Sequence, residues 1–506
     1  MLRLRDAKSD RVMNFYVMDS HHHLGEDEDG REVKPTGVNN SYSFCKKVIN
    51  GDSETDGIRN ELENHPENYR WTIPEDGLIR PHPLIEEFDP KEIKRKELET
   101  HSIDQIVVFP MQDVFRDKGD IMYQTSNNFI ERWTKIPPHS RRLVGFGRID
   151  PNEPLGENME EINRMVNECG LKGLKLHPQS EDFDVGDLEV KKILKKAAYQ
   201  NIPVIFHTSF GVEVKKLHDV CNEIIAEFYE KGLKSKIKQL KIIIGHCTYQ
   251  SEKVFTALSH PCIYGELSTL GNPKDYFDIL SDNVEPRRYF EKSFPHLNEI
   301  NDKIEKEDIK DIFGLSVTSF EWHNKVMMGT DNPYMPVVKL VDLLKALFSK
   351  DADLDGRCIQ NILSANLLRL LPPRLESGQT CSHKEGFNFL FREDIKLLEI
   401  NPFVEPIIGG GVDTHTNFVR VMNKNGFEKH DEERTIDLFH KKIELCPISE
   451  GKEKIEENEL YSLEEMKEKY PYIFNKSNPR ELPNDPQERA SLSSIASVLS
   501  SPNFGE

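Results

Sequence analysis

Much is scarce or missing in this chain of 506 residues, and each absence narrows its reading. It has no run of about 18 apolar residues, so no membrane-spanning helix is expected. Its first residues, Met1 to Lys8, carry charge but no apolar core, so no secretory leader is expected either. The eight cysteines are scattered without a CxxC pair. That pattern suits reduced residues of a cytoplasmic protein rather than a disulfide framework. No repeat with a fixed period appears. Positive charge is in deficit, with 67 Lys and Arg against 87 Asp and Glu, a formal net charge of −20. An acidic surface argues against nucleic acid and anionic membranes as partners. Hydrophobic residues make up 37% and charged residues 30%, a soluble globular balance.

What is present is alternation. Apolar strands are predicted at Phe15 to Asp19, Ile103 to Phe109, Leu143 to Ile149 and Leu174 to His177. Four more follow at Ile202 to His207, Leu240 to His246, Ile263 to Leu267 and Lys325 to Asp331. Most are followed by a helical pattern, which implies a parallel sheet. Eight such units close into a (β/α)₈ TIM barrel. An open doubly wound sheet is the alternative, but no glycine-rich phosphate turn follows a strand.

Residues 1–374 are assigned to the barrel. A polar stretch, 25–89, interrupts it after strand one and reads as a lid-like insertion. Short helices are expected inside it at Asn40 to Ile49 and Gly57 to Leu62. Further helices are expected at Pro90 to His101, over much of Asn272 to Phe313, and at Arg357 to Leu371. Residues 375–480 read as an appended α+β segment and 481–506 as a mobile tail.

Barrel enzymes keep their chemistry at the C-terminal ends of the strands. Strand one runs into His21, His22 and His23. A period of two puts Asp19, His21 and His23 on one face, and Ser20 and His22 on the other. Strand four ends in His177, with Lys175 in phase. Strand five ends in His207, strand six in His246 and strand eight in Asp331. Any one of these alone reads as structural; their convergence on one rim reads as a site. His21, His23, His207 and Asp331 offer three nitrogens and one oxygen. That set suits one divalent metal ion, zinc first, with manganese or iron next. Such an ion lowers the pKa of its water to about 7. Asp331 is placed to accept that water's proton, and His246 to polarise a carbonyl or act as acid or base.

Four motifs carry a family resemblance: Asp19-x-His21-x-His23, Pro203-Val-Ile-Phe-His207, Ile243-Ile-Gly-His246 and Met328-Gly-Thr-Asp331-Asn-Pro333. They resemble the amidohydrolase superfamily. The most similar branch is the amidohydrolase-related one, with aminocarboxymuconate-semialdehyde decarboxylase, other carboxy-lyases and several hydrolases. Gly173-Leu-Lys-Leu-His-Pro178 and Ile362-Leu-Ser-Ala-Asn366 add to the likeness. The resemblance implies that His21, His23, His207 and Asp331 bind the metal and that His246 is catalytic. It implies a hydrolase that uses a metal-activated water on a C–N or C–O bond of a small molecule. The alternative is non-oxidative decarboxylation of a small unsaturated or aromatic carboxylate. A third reading is a catalytically weak barrel acting as sensor or scaffold, with the segment after 375 binding a partner.

Several residues remain. Lys175 reads as structural, with a carboxylated lysine bridging two metals as the alternative. His177 reads either as a substrate contact or as a structural hydrogen bond. His22 reads as structural, and Glu266 as either packing or a partner that orients a metal-bound histidine. Arg59, Arg70, Trp71, Arg80 and His82 lie in the insertion, each by itself a solvated residue. A guanidinium binds a carboxylate bidentately, and Arg80 is the candidate for that role. Asp413-Thr-His415 reads as a loop. The expected partner is a small-molecule substrate, with a homodimer left open.

Overall fold

The structure is a computed structural model. It describes residues 2–26, 31–35, 40–79, 103–111, 123–135, 139–208, 211–250, 252–269, 272–284 and 322–372. The expectations for Arg80, His82, the helix at 90–101, most of the excursion at 285–321 and everything from 373 onward lie outside those residues.

The chain begins with a sheet that the sequence reading missed. β1 (Leu2–Asp6) and β2 (Arg11–Phe15) pair antiparallel, Leu2 opposite Phe15 and Asp6 opposite Arg11. Leu2, Leu4, Met13 and Phe15 alternate with polar residues and are buried. Phe15 therefore belongs to this sheet and not to the first barrel strand. That strand is β3 (Met18–Glu26), which contains all three histidines instead of ending before them. β4 (Glu32–Val33) folds back on its end. β5 (Trp71–Thr72) joins the outer edge of β1. Trp71 is not solvated, as its place in a polar insertion suggested. It is fully buried, packs edge-on to Phe15 at 5.2 Å and donates its indole N–H to Leu354 O at 3.0 Å.

The barrel strands then follow in order. They are β6 (Gln105–Pro110), β7 (Leu143–Gly145), β8 (Gly147–Arg148), β9 (Leu174–Leu176) and β10 (Val204–Phe206). β11 (Ile242–Ile244), β12 (Ile263–Glu266) and β13 (Val326–Met327) complete them. β7 and β8 are two halves of one strand. β7 pairs with β6, and β8 with β9. Between them Phe146 N donates to Val108 O at 2.8 Å, and Gly147 N to Gly173 O at 3.0 Å. The cylinder closes between β3 and the chain beyond β13. Ser20 N donates to Met328 O at 3.0 Å, Asp331 N to His21 O at 2.7 Å and His23 N to Asn332 O at 2.9 Å. Eight parallel strand positions thus form a closed (β/α)₈ barrel.

Register explains which side chains face inward. Ile106 and Val108 pack outward against the helices, while Val107 and Phe109 pack inside. β10 and β11 repeat this, with Ile205 and Ile243 inside. Lys175 is paired with Ile205 in the ladder, so it projects into the same interior layer. Gly173 faces Phe146, whose ring would lie 2.3 Å from an added Cβ.

Helices follow strands as the alternation implies, among them Leu155–Asn167, Leu188–Gln200, Gly211–Glu230 and Val337–Phe348. The short insertion helices form at Ser41–Asn50 and Ile58–Asn64. The helix expected from Arg357 is a run from Gly356 to Leu370 with a π turn at Asn361–Ala365. Its Leu367, Leu370 and Leu371 pack on Met18 and Met327. This run seals the end of the barrel where the strands begin, leaving the opposite rim for chemistry. No helix among the described residues is long and apolar enough to cross a membrane.

Candidate metal centre and active site

The first strand does not keep its period. A bulge between Asp19 and His22 shifts the ladder between β3 and β6. Asp19 therefore does not share a face with His21 and His23, as strict alternation would require. Its carboxylate accepts from His22 Nδ1 at 3.0 Å, Thr330 N at 2.9 Å, Thr330 Oγ1 at 2.5 Å and His21 N at 3.0 Å. His22 is fully buried, and its Nε2 meets Ser41 Oγ at 2.8 Å. This network ties the first strand to the loop after the last one and to the insertion helix, which gives His22 the structural role expected of it.

His21 and His23 meet over Asp331. Each has its Nε2 at 3.2 Å from Asp331 Oδ1. These three ligand atoms lie within 4.8 Å of one another. His21 Nδ1 bonds Glu266 Oε1 at 2.8 Å. A carboxylate only accepts, so His21 carries its proton on Nδ1 and turns the Nε2 lone pair toward Asp331. His23 Nδ1 is buried with no hydrogen-bond partner among the described residues.

Glu266 does more than orient one ring. It also accepts the backbone N–H of His246, Ser268 N at 2.9 Å and Ser268 Oγ at 3.0 Å. The Ser268 proton is thereby committed, so His246 Nδ1 donates to Ser268 Oγ at 2.8 Å. His246 Nε2 is then the acceptor for His207 Nδ1 at 3.0 Å. That leaves His207 Nε2 as a lone pair. His207 lies beside the three converging ligands without joining their group, and it stacks on His177 with ring centroids 3.8 Å apart. Gly329 makes room for Glu266: a Cβ there would sit 2.3 Å from Glu266 Oε2.

Backbone strain gathers at the same place. His246 and Asp331 adopt φ of 60° and 50°, in the left-handed region that costs side-chain-bearing residues about 1–3 kcal/mol each. His246 sits on a 3₁₀ turn, Gly245–Gln250, and not on the strand that was expected to end in it. Its N–H on Glu266 and the bond from Asp331 N to His21 O hold both residues in place.

Burial sets the electrostatics. It holds His21, His23 and His246 well below the usual histidine range and takes His207 down to about 3. These rings are neutral donors at neutral pH. Burial pushes the Asp331 carboxyl up, against the pull of the Lys175 ammonium. Lys175 is fully buried, lowered to about 7 by burial, and its Nζ lies 3.1 Å from His21 Nε2. Asp331, Glu266 and Glu181 hold the Lys175 value up, while burial and Arg148 press it down. His21 Nε2 and His23 Nε2 both converge on one carboxylate oxygen of Asp331, a nitrogen and oxygen donor set that a divalent cation takes. The residues present therefore fit a divalent metal.

Arg148 was missed by the sequence reading. It is fully buried and pairs with Glu181, which also accepts Tyr123 OH at 2.8 Å and His177 N at 3.0 Å. The signal was available in phase: Val144 and Phe146 face inward, and Arg148 is two residues further along. Arg70, read as solvated, instead clasps Asp6 bidentately at 3.0 and 3.2 Å, away from the rim.

The amidohydrolase family model matches residues 112–294. No curated protein matches the chain. Among solved structures, 5-carboxyvanillate decarboxylase of Sphingomonas paucimobilis is 12% identical, covering 71% of this chain and 99% of its own, with a TM-score of 0.35. The 2,6-dihydroxybenzoate decarboxylase of Rhizobium is 12% identical, covering 71% and 98%, with a TM-score of 0.36. A dihydroxybenzoic acid decarboxylase of Polaromonas, with manganese and 2-nitroresorcinol bound, is 11% identical, covering 71% and 97%, with a TM-score of 0.37.

Proposed function

We propose that this chain, whose residues 112–294 belong to the amidohydrolase family, is a metal-dependent hydrolase acting on a C–N or C–O bond of a small molecule. The observation that carries this reading is the meeting of His21 Nε2, His23 Nε2 and Asp331 Oδ1 at the open rim of the barrel. His21, His23 and Asp331 would hold the metal, with His207 as the fourth donor and zinc, manganese or iron as the ion. A bound divalent ion supplies Lewis acidity and an acidified water.

The chain's own groups do the rest. Asp331 Oδ2, 4.0 Å from His246 Nδ1, is the oxygen left to take a proton from the attacking water and return it to the leaving group. Glu266 fixes the tautomer of His21 and the backbone of His246, so neither reorganises during reaction. Lys175 and Arg148 make one wall cationic, which selects a substrate carrying negative charge.

That same wall favours a second reading, non-oxidative decarboxylation, in which His246 or Asp331 manages the proton. The two are separated by running amides, lactones and aromatic carboxylates with the metal-replete chain in ¹⁸O-labelled water. Label in the product acid means hydrolysis. Carbon dioxide release with no label in the organic product means decarboxylation. No turnover across the panel at full metal content contradicts both and favours the scaffold reading.

A further inference from the structure

We infer that His177 is the substrate-facing hydrogen-bond donor of this site, locked as the Nε2–H tautomer, and that it receives a carboxylate oxygen of the substrate. This deepens the enzymatic reading above and rests on it.

Ser180 N–H points at His177 Nδ1 at 3.2 Å. An amide nitrogen can only donate, so Nδ1 must accept, and the proton of the neutral ring must sit on Nε2. The tight turn after β9 builds this contact: Ser180 N and Glu181 N both donate to His177 O at 3.1 Å. Glu181 then locks the turn from the other side, accepting His177 N at 3.0 Å while held by Arg148 and by Tyr123 OH. His207 covers one face of the ring, nearly parallel at 8°. Position and tautomer of His177 are thus both set before any ligand arrives.

Its free end faces the other way. Nε2 has no hydrogen-bond partner among the described residues, and the ring is half-buried. His21, His23 and His246 are buried by comparison. The N–H of His177 is therefore offered at the mouth of the site.

Charge decides what it is offered to. Lys175 and Arg148 are the cations beside this ring, and both oppose a positive charge on it. With Nδ1 filled by the Ser180 amide proton, the ring has its Nε2–H to give, and the two cations beside it favour an anionic acceptor. Arg148 is already engaged by Glu181, so it supplies field and position and leaves the direct contact to His177. A neutral imidazole N–H donated to a carboxylate orients the substrate without transferring a proton.

The test uses the full-length, zinc-loaded chain and benzoate as probe. Nitrogen-15 spectra of histidine-labelled protein, with His177→Gln used to assign the signal, report the tautomer directly. The expected result is a neutral ring protonated on Nε2, whose signal moves when benzoate is added. Gln places an amide N–H where Nε2 lies; Asn places one nearer Nδ1. His177→Gln should therefore keep benzoate affinity within about threefold, and His177→Asn should lose at least about tenfold. An Nδ1–H tautomer, equal affinity in all three proteins, or no benzoate binding to the wild type would each overturn the inference. The tautomer is read on the wild type, so a variant that fails to fold does not protect the idea. Zinc content is measured on the same samples. Zinc retained with benzoate binding lost from none of them sinks the inference alone, whereas a wild type that takes up none of zinc, manganese and iron sinks the enzymatic reading while the tautomer is still read.

Discussion

Glu266 is the residue on which the site turns. Its two oxygens receive His21 Nδ1, His246 N, Ser268 N and Ser268 Oγ. Replacing it with Gln keeps the shape but swaps one acceptor for a donor, so His21 loses its fixed tautomer. Metal affinity should fall by about 10- to 100-fold, read by competition with a chelating dye, with the circular dichroism spectrum unchanged. Undiminished affinity would reduce Glu266 to a packing residue. The strand-end histidines and Asp331 were legible because barrel topology makes strand ends converge. The pairing of Asp19 with His22 was not, because a bulge resets the period and leaves no mark in a polar stretch. Arg148 was overlooked for a different reason: a lone arginine reads as surface until its inward phase is taken seriously.

At the scale of elements, close approach sets the tolerances. Gly329 lies where the chain leaves β13, and an added Cβ would stand 2.3 Å from Glu266 Oε2 and 3.1 Å from His21 Cβ. Gly329→Ala should cost about 1–3 kcal/mol in denaturant unfolding and weaken metal binding as Glu266→Gln does. A fully stable variant with normal metal content would show that the strand end is softer than argued.

The N-terminal sheet offers a separate test. Arg70 joins β1 to the loop before the closing helix through Asp6 and Asp353, the latter at 3.0 Å. Burial raises the Asp6 carboxyl, but its bonds from Arg70 and neighbouring groups outweigh this, and the net shift is below 3.8. A depressed folded value means stability that is present above 3.8 and lost as pH falls through the lower folded value. Arg70→Ala should therefore cost about 3 kcal/mol at neutral pH, and the gap to the wild type should narrow in acid. A gap independent of pH would place the cost in lost packing instead. This sheet escaped the sequence reading because its strands are short and its third member lies far along the chain, within a polar insertion.

At the scale of the whole molecule, the barrel was the most legible feature. Eight apolar strands at the interior period, each separated by helical pattern, leave few other ways to bury them. The strand ends were less legible, since hydrophobic runs continue into the turns that carry His246 and Asp331. The central claim is that His21, His23 and Asp331 converge at the barrel rim as donors for one divalent cation. Elemental mass spectrometry of metal-replete protein tests this most directly, on the wild type and on His21→Ala and Asp331→Ala. The account predicts about one zinc, manganese or iron per wild-type chain and a large loss in each variant. A wild type with no bound metal, or variants that hold it as well as the wild type, would contradict the account.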